Sequence, residues 1–389
     1  MRAKKKTITP LPFGYYCWPV IILAFAGIAD SIYLAVSHYR NYVDIGYSSF
    51  CAISKAINCD TVSQSSFSIF IGVPVPVWGI LGYGVFLAIT VFAWRRRKAA
   101  MEGWNILFFL SLAFTLYSLV LAFISSYYID SYCLMCIVSY AINLALLFYT
   151  WLIKKRFQLP GLWNGLRQEA RCCWQSTAGK VSMGLVVTLV IAAIVFFPDY
   201  WHFSIDIPTG SIQTGVTDDG HPWIGATDPE LVIIEYTDYL CFQCRKMHYY
   251  LRRMVSRYPS KIRLVHRHFP MDNEVNPIVK EPFHVGSGRL AVLSLYAAEK
   301  GKFWEMNDLL FQAAGRSGEI DLQELADHVG LKKEELSGAL ANRVDLRQAL
   351  MKDIYSGLGL KIPGTPAYIV GDNVYLGMLR PELFDAIIR

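Results

Sequence analysis

Five apolar runs, near residues 15–36, 73–94, 104–127, 132–153 and 181–198, constrain this chain more than any other feature. Each is long enough to cross a bilayer, which takes about 20 residues of helix. Lipid offers the backbone no hydrogen-bond partners, so such runs must be helical. The first follows a Lys-rich start, yet it is too long for a signal-peptide core and lacks an Ala-x-Ala site, so it reads as a retained helix. With 54% hydrophobic residues over 389, the chain is too apolar for an ordinary soluble protein and too long for one domain.

The basic residues set an expected orientation. Arg2, Lys4, Lys5 and Lys6 precede the first run, and Arg95, Arg96, Arg97 and Lys98 join the second to the third. Lys154, Lys155, Arg156, Arg167, Arg171 and Lys180 lie between the fourth and the fifth. These 14 fall on one side, against Arg40 and Lys55 on the other. The positive-inside rule then puts the N-terminus in the cytoplasm and everything after residue 199 outside. The net charge of +6 is mostly this topology signal and calls for no nucleic-acid partner.

The composition changes past residue 199. Residues 199–222, rich in Pro, Gly, Thr and Asp, read as a linker, and 223–389 as a soluble domain. There "LVIIEYTD" predicts a buried strand, "CFQCRKMHYYLRRMVSRY" a helix opening on a Cys pair, and "IRLVHRHF" a second strand. Helical patterns follow at 289–300, 302–314, 321–329, 332–341 and 345–356. "GTPAYIVGDNVYLG" reads as a hairpin and "PELFDAIIR" as a closing helix. The expected fold is an α/β sandwich with a helical insertion, joined to a membrane helical bundle. The expected order is a basic N-terminus (1–14), a four-helix membrane domain (15–153), a cytoplasmic loop (154–180), a fifth membrane helix (181–198), the linker and the external domain.

The topology sorts the cysteines. Cys51 and Cys59 fall in the first external loop, Cys133 and Cys136 at the external end of the fourth span, and Cys241 and Cys244 in the external domain. Three pairs thus share the side where disulfides persist. Cys172 and Cys173 are expected to be cytoplasmic and reduced, and Cys17 to be packing. Zinc is the rival for two Cys-x-x-Cys pairs, but a membrane helix and a linker separate them.

Cys133, Cys136, Tyr140 and Asn143 are spaced to share one helix face. A polar stripe at membrane depth normally faces a bundle interior. A Cys pair opening a helix has its first thiolate stabilised by the helix dipole and free N–H groups. That reasoning applies to Cys133 and to Cys241, so the three pairs can form a relay in which thiolate attack passes electrons from one to the next. A membrane-embedded pair then needs a lipid-soluble acceptor, for which a quinone is the obvious candidate.

The loop "CAISKAINCDTVSQSSF", the following "IFIGVPVPVWGILGY" and "CLMCIVSYAIN" resemble the vitamin K epoxide reductase (VKOR) family over residues 15–153. The resemblance implies loop cysteines at Cys51 and Cys59, a catalytic pair at Cys133 and Cys136, the family's Ser at Ser65, and quinone contacts at Ser65, Phe67 and Tyr140. The external domain resembles the DsbA-type thioredoxin family. That likeness implies a redox pair at Cys241 and Cys244, a buried proton-managing acid at Glu235, and a cis-proline substrate loop at Thr365-Pro366. Phe242-Gln243 between the cysteines departs from the dipeptides of both strong oxidants and reducing thioredoxins, which leaves the redox poise open.

Together these resemblances imply a quinone-dependent protein-disulfide oxidoreductase in a bacterial inner membrane. Its partners would be reduced periplasmic or secreted proteins and a ubiquinone or menaquinone pool, with no metal. Two alternatives stay open: an exporter of electrons to a periplasmic isomerase, and a tethered chaperone with structural disulfides. Asp30 reads equally as a proton or quinone contact and as a structural acid. His248 is expected to be a surface or packing residue, and His266 and His268 to be structural.

Overall fold

The structure, a computed structural model, describes residues 12–53, 56–95, 103–201, 212–314, 320–379 and 381–384. Most of the N-terminal basic stretch, Lys55, Arg96 to Lys98 and most of the expected closing helix lie outside them. The chain divides near residue 199 into two compact units.

The first unit is helical: α1 (Gly14–Val43), a short α2 (Cys59–Gln64), α3 (Val75–Arg95), α4 (Trp104–Ile124), α5 (Leu134–Arg156), α6 (Leu162–Gln175) and α7 (Thr177–Phe196), with a two-stranded hairpin of β1 (Ile69–Phe70) and β2 (Val73–Pro74) before α3. Among the described residues, five helices are long and apolar enough to cross a membrane: α1, α3, α4 with its extension to Ile129, α5 and α7. The helix α1 outruns the first apolar run because its polar end, from Ser37 to Val43, stays helical. Beyond α4 the chain continues as a π-helical turn over Ser125–Ile129, a form that recurs at functional sites. No residue of α7 is buried by the protein, so a helix this apolar all round leaves its surface for lipid to cover.

Small residues set the approach of α1 and α3. A Cβ at Gly27 would lie 2.6 Å from the Tyr83 ring, and one at Gly79 2.5 Å from the Ser31 hydroxyl. Close backbone approach through glycine is a main source of helix association in lipid. Gly27→Leu should therefore cost about 1–3 kcal/mol, read as an earlier thermal unfolding of the full-length protein in detergent. An unchanged transition would mean that α1 and α3 do not depend on this contact.

The segment expected as a plain loop after α5 contains α6, whose Glu169 is buried against the start of α4. Its carboxylate accepts from the Asn105 and Ile106 N–H groups at 3.2 and 3.0 Å. An anion there satisfies orphan donors and meets the positive end of the helix dipole.

The second unit is a six-stranded sheet in the order β3-β4-β6-β5-β7-β8. Its strands are β3 (Thr214–Val216), β4 (Pro222–Gly225), β5 (Leu231–Thr237), β6 (Ile262–His268), β7 (Ala367–Val370) and β8 (Asn373–Leu376). Only β5 and β6 pair in parallel, joined by α8 (Phe242–Arg257); the other pairs are antiparallel. The strand β3 and the start of β4 occupy the end of the segment expected as linker. The strand β3 is short and largely exposed, and β4 is buried but only four residues long, so neither shows the apolar run that marks β5. The β7–β8 hairpin turns through Gly371, whose φ of +57° glycine adopts without strain.

Helices α9 (Ser287–Glu299), α10 (Phe303–Ala313), α11 (Leu322–Val329), α12 (Lys333–Asn342) and α13 (Val344–Gly359) form the expected helical block. Alternation along β5 feeds two cores. Ile233 joins the cluster built on Met247 and Leu251 of α8, whereas Tyr236 joins the cluster of α9, α10 and α13.

Candidate redox sites

In the helical unit, backbone bonds stitch the cysteine loop to the start of α5. Asn58 N–H donates to Tyr132 O at 2.9 Å, and Tyr132 N–H to Ala56 O at 2.8 Å. Asn58 also caps α2, its side chain accepting from the Asp60 and Thr61 N–H groups. The buried Asp60 carboxylate ties the loop to α1, accepting from Asn41 Nδ2 at 3.2 Å and from Ser49 N–H at 3.0 Å. The loop therefore holds a defined position over α5.

That position brings four sulfurs together. Cys51 is disulfide-bonded to Cys59, and Cys133 to Cys136. Cys51, Cys59 and Cys133 form one buried cluster, with Cys136 packed against it. Cys133 is the N-cap of α5, and its sulfur accepts from the Cys136 N–H at 3.1 Å. Once either pair is reduced, its thiolate can attack the neighbouring disulfide with little movement.

Next to them lies a cavity of ≈ 380 Å³ enclosed by α1, the loop, α3, α4 and α5. Its volume falls at the lower end for small-molecule sites. Cys133, Cys136, Tyr140 and Asn143 all line it, and Cys59, Ser65 and Phe67 join from the loop. Ser65 commits its one proton to Val62 O at 2.7 Å, so it can offer the cavity only lone pairs. Tyr140 has no hydrogen-bond partner among the described residues, which leaves its hydroxyl free to donate. Asn143 is locked between the Tyr83 hydroxyl at 2.7 Å and Ser118 Oγ at 2.9 Å. Asp30 is buried and accepts from Ser139, a cavity residue one turn beyond Cys136. Sequence reading did not single out His38 or Tyr83, which line the same cavity; their contacts depend on packing between helices.

In the second unit, Cys241 is the N-cap of α8 and Cys244 lies in its first turn. The Cys241 sulfur accepts from the Cys244 N–H at 3.2 Å, and its thiol donates to Thr365 O at 3.6 Å. The Thr365-Pro366 bond is cis. Burial and the charge of Asp238 act to raise the Cys241 thiol, but bonds from Cys244 and the charge of His284 bring it below its ordinary value. Burial, reinforced by Cys241, pushes Cys244 well up. The first sulfur is thus the more acidic and readily ionised of the two, and the second holds its proton.

Glu235 is fully buried, and burial pushes its carboxyl up to about 7. It shares a 2.7 Å hydrogen bond with His266 Nδ1, the residue opposite it on β6. Burial holds His266 down to about 3, so that ring is neutral. Across the sheet Glu235 pairs with Tyr368, and the charges of Glu235, Cys244 and Cys241 all act on that one phenol. Tyr368 was not singled out from the sequence, because nothing local marks it as lying beside the dithiol. His248 is a packing residue, fully buried and bonded to Asp308 at 2.8 Å, where Arg252 also binds. His268 bonds Asp353 and Ser294 in the same interior. Among the described residues no cluster of His, Cys, Asp and Glu could hold a metal ion.

Comparison with known proteins gives each unit its relatives. Residues 18–151 match the model of the Vitamin K epoxide reductase family, and residues 217–389 a model described as Thioredoxin. Among solved structures, a thioredoxin-like oxidoreductase from Silicibacter pomeroyi DSS-3 is 26% identical, covers 44% of this chain and 92% of its own, and has a TM-score of 0.36. The α-DsbA1 protein of Wolbachia pipientis is 16% identical, covers 44% and 91%, and has a TM-score of 0.37. Among curated proteins, Na(+)/H(+) antiporter NhaA 3 of Salinispora tropica is 26% identical over 164 residues, 42% of this chain and 24% of that protein. The chain spans about a quarter of the length of the curated relatives it matches. It joins a helical domain of the vitamin K epoxide reductase family, at residues 18–151, to a C-terminal thioredoxin-fold domain.

Proposed function

We propose that this protein is a membrane thiol–disulfide oxidoreductase that makes disulfides in periplasmic or secreted proteins and delivers the electrons to a membrane quinone. One observation carries the reading: two disulfides packed together at an apolar cavity within a helical bundle. A lipid-soluble quinone, ubiquinone or menaquinone, supplies an acceptor of two electrons and two protons. Tyr140 would donate to its oxygen, and Phe67 would flank its ring. Ser65 would accept from a hydroxyl oxygen.

The residues of the chain divide the work. A substrate dithiol attacks Cys241 of the oxidised pair, forming a mixed disulfide and releasing the Cys244 thiolate, which takes its proton with help from Glu235. The second substrate thiol then closes the substrate disulfide and releases Cys241. The backbone at Thr365-Pro366 lies beside Cys241 and offers an extended substrate a strand to pair with. Reduced Cys241 next attacks Cys51 of the Cys51–Cys59 disulfide and releases Cys59. Cys244, giving its proton to Glu235, closes Cys241–Cys244 and releases Cys51. The reduced loop pair then passes the electron pair through Cys59 to Cys133–Cys136. Each exchange closes one disulfide and opens another, so electrons balance throughout. The basic-residue asymmetry supports a cytoplasmic N-terminus in a bacterial inner membrane, with the thioredoxin-fold domain in the periplasm.

The test is alkylation trapping in cells. Cys241–Cys244 should be found oxidised and should become reduced when quinone is depleted. A pair that stays oxidised without quinone overturns the reading in favour of structural disulfides. A pair reduced whether or not quinone is present favours the export of electrons.

A further inference from the structure

His284, in the loop between β6 and α9, has a φ of +40°. Residues with a Cβ rarely adopt that region, and they do so where the surroundings dictate the backbone, often at functional sites. The surroundings here are specific. The His284 Nδ1 donates to Asp238 Oδ2 at 2.9 Å, and its ring stacks on Phe283 with centroids 4.0 Å apart. Asp272 fixes the loop by accepting from Gly286 N–H at 2.8 Å and Gly288 N–H at 3.2 Å.

Asp238 ties this histidine to the redox pair. Its side chain is fully buried and also accepts from Leu240 N–H at 2.7 Å, Met271 N–H at 2.6 Å and Ser287 Oγ at 3.1 Å. Its own carbonyl receives the Cys241 N–H at 3.2 Å. A buried carboxylate three residues before the cysteine therefore aims a histidine 46 residues away at the same corner.

We infer that His284, oriented by Asp238, is a positioning cation that stabilises the Cys241 thiolate and replaces the charge that Phe242-Gln243 does not supply. The inference rests on reading Cys241–Cys244 as an exchanging pair. The electrostatics are mutual. Burial works against charge on His284, yet the bond and charge of Asp238, with Cys241 and Asp272, raise it above its ordinary value. His284 in turn favours the ionised Cys241 and so offsets the Asp238 carboxylate, whose charge opposes it. Around the dithiol, Cys244 on α8 feels both Cys241 and Asp238, Tyr368 on β7 feels Cys241, Cys244 and Glu235 of β5, and Arg245 on α8 lies over the Phe242 ring. A stabilised thiolate is a better leaving group and makes the disulfide more oxidising. As pH rises through the raised pKa of His284, its proton is lost and the stabilisation goes with it.

The test follows iodoacetamide alkylation of Cys241 in the reduced full-length protein, peptide by peptide by mass spectrometry, from about pH 4 to about pH 9. His284→Gln should move the alkylation midpoint up by about one pH unit, and His284→Lys should keep it near that of the parent. A second measurement needs no substitution. Alkylating Cys241 should lower the midpoint of imidazole C2–hydrogen exchange at His284. Exchange with glutathione that persists while neither midpoint moves overturns the role of His284 and leaves the redox pair standing. A parent pair that does not exchange with glutathione overturns both.

Discussion

Cys136→Ser should lower quinone reduction to background, a loss of at least about a thousandfold, while a Cys59–Cys133 cross-link accumulates. Cys136 lies one turn into α5, about 4.5 Å along the axis from Cys133 at 1.5 Å per residue, and it lines the cavity. Cys133 is buried with Cys51 and Cys59. In this variant the free Cys133 thiolate attacks Cys59 of the oxidised loop pair and releases Cys51. Without the Cys136 thiol, only Cys51 can reopen that mixed disulfide. Cys133→Ser should abolish both the reduction and the cross-link. A structural disulfide would instead give the same modest loss of stability from either substitution and no cross-link. Quinone absorbance in purified full-length protein and mass mapping of the cross-link measure the two outcomes. Equal cross-linking in the two variants, or a cross-link in neither, would show that the sulfurs have no separate roles.

Glu235→Gln should make the thioredoxin-fold domain more stable at pH 8 by up to about 3 kcal/mol and leave it nearly unchanged at pH 4. The folded domain raises this carboxyl from 4.5 to about 7. Its contribution to stability is therefore fully present below about 4.5, where both states are protonated, and is lost as pH rises through about 7, where the folded domain must bury a charge. Glutamine keeps a partner for His266 and never ionises. Pulse proteolysis of the full-length protein in urea at the two pH values measures the difference, and parallel curves at both would sink the assignment. The same substitution should slow thiol exchange at neutral pH by about a hundredfold, because Cys244 loses its proton acceptor. An exchange rate unchanged from pH 5 to 8 would remove Glu235 from the chemistry.

The parts legible in the sequence are those that repeat a local rule along the chain. Length and hydrophobicity suffice for the five apolar helices, because lipid leaves the backbone no other way to bond. The 3.6-residue period is enough to gather Cys133, Cys136, Tyr140 and Asn143 on one face, and that face lines the cavity. Cys133 and Cys241 follow from spacing as the residues that open helices. The strand "LVIIEYT" and the hairpin around Gly371 follow from residue type. Where the local signal was weak, the sequence misled. The strand β3 is three residues long and largely exposed, so it reads as linker together with Pro222 at the start of β4.

What tertiary structure alone decided are the pairings across long separations. Tyr83 meets Asn143 at a distance of 60 residues in sequence, Glu235 meets His266 at 31, and Asp238 meets His284 at 46. No periodicity links such residues, because each partner obeys only its own element. Register across β5, β6 and β7 puts His266 and Tyr368 on either side of Glu235. The loop tethered by Asp272 brings His284 to Asp238, beside the cysteine. The sequence by itself determined which thiols open helices, Cys133 and Cys241, since that is a local property. Folding decided which acids, phenols and imidazoles tune those thiols. Burial and charge act through space, and only the closed core fixes the distances over which they act.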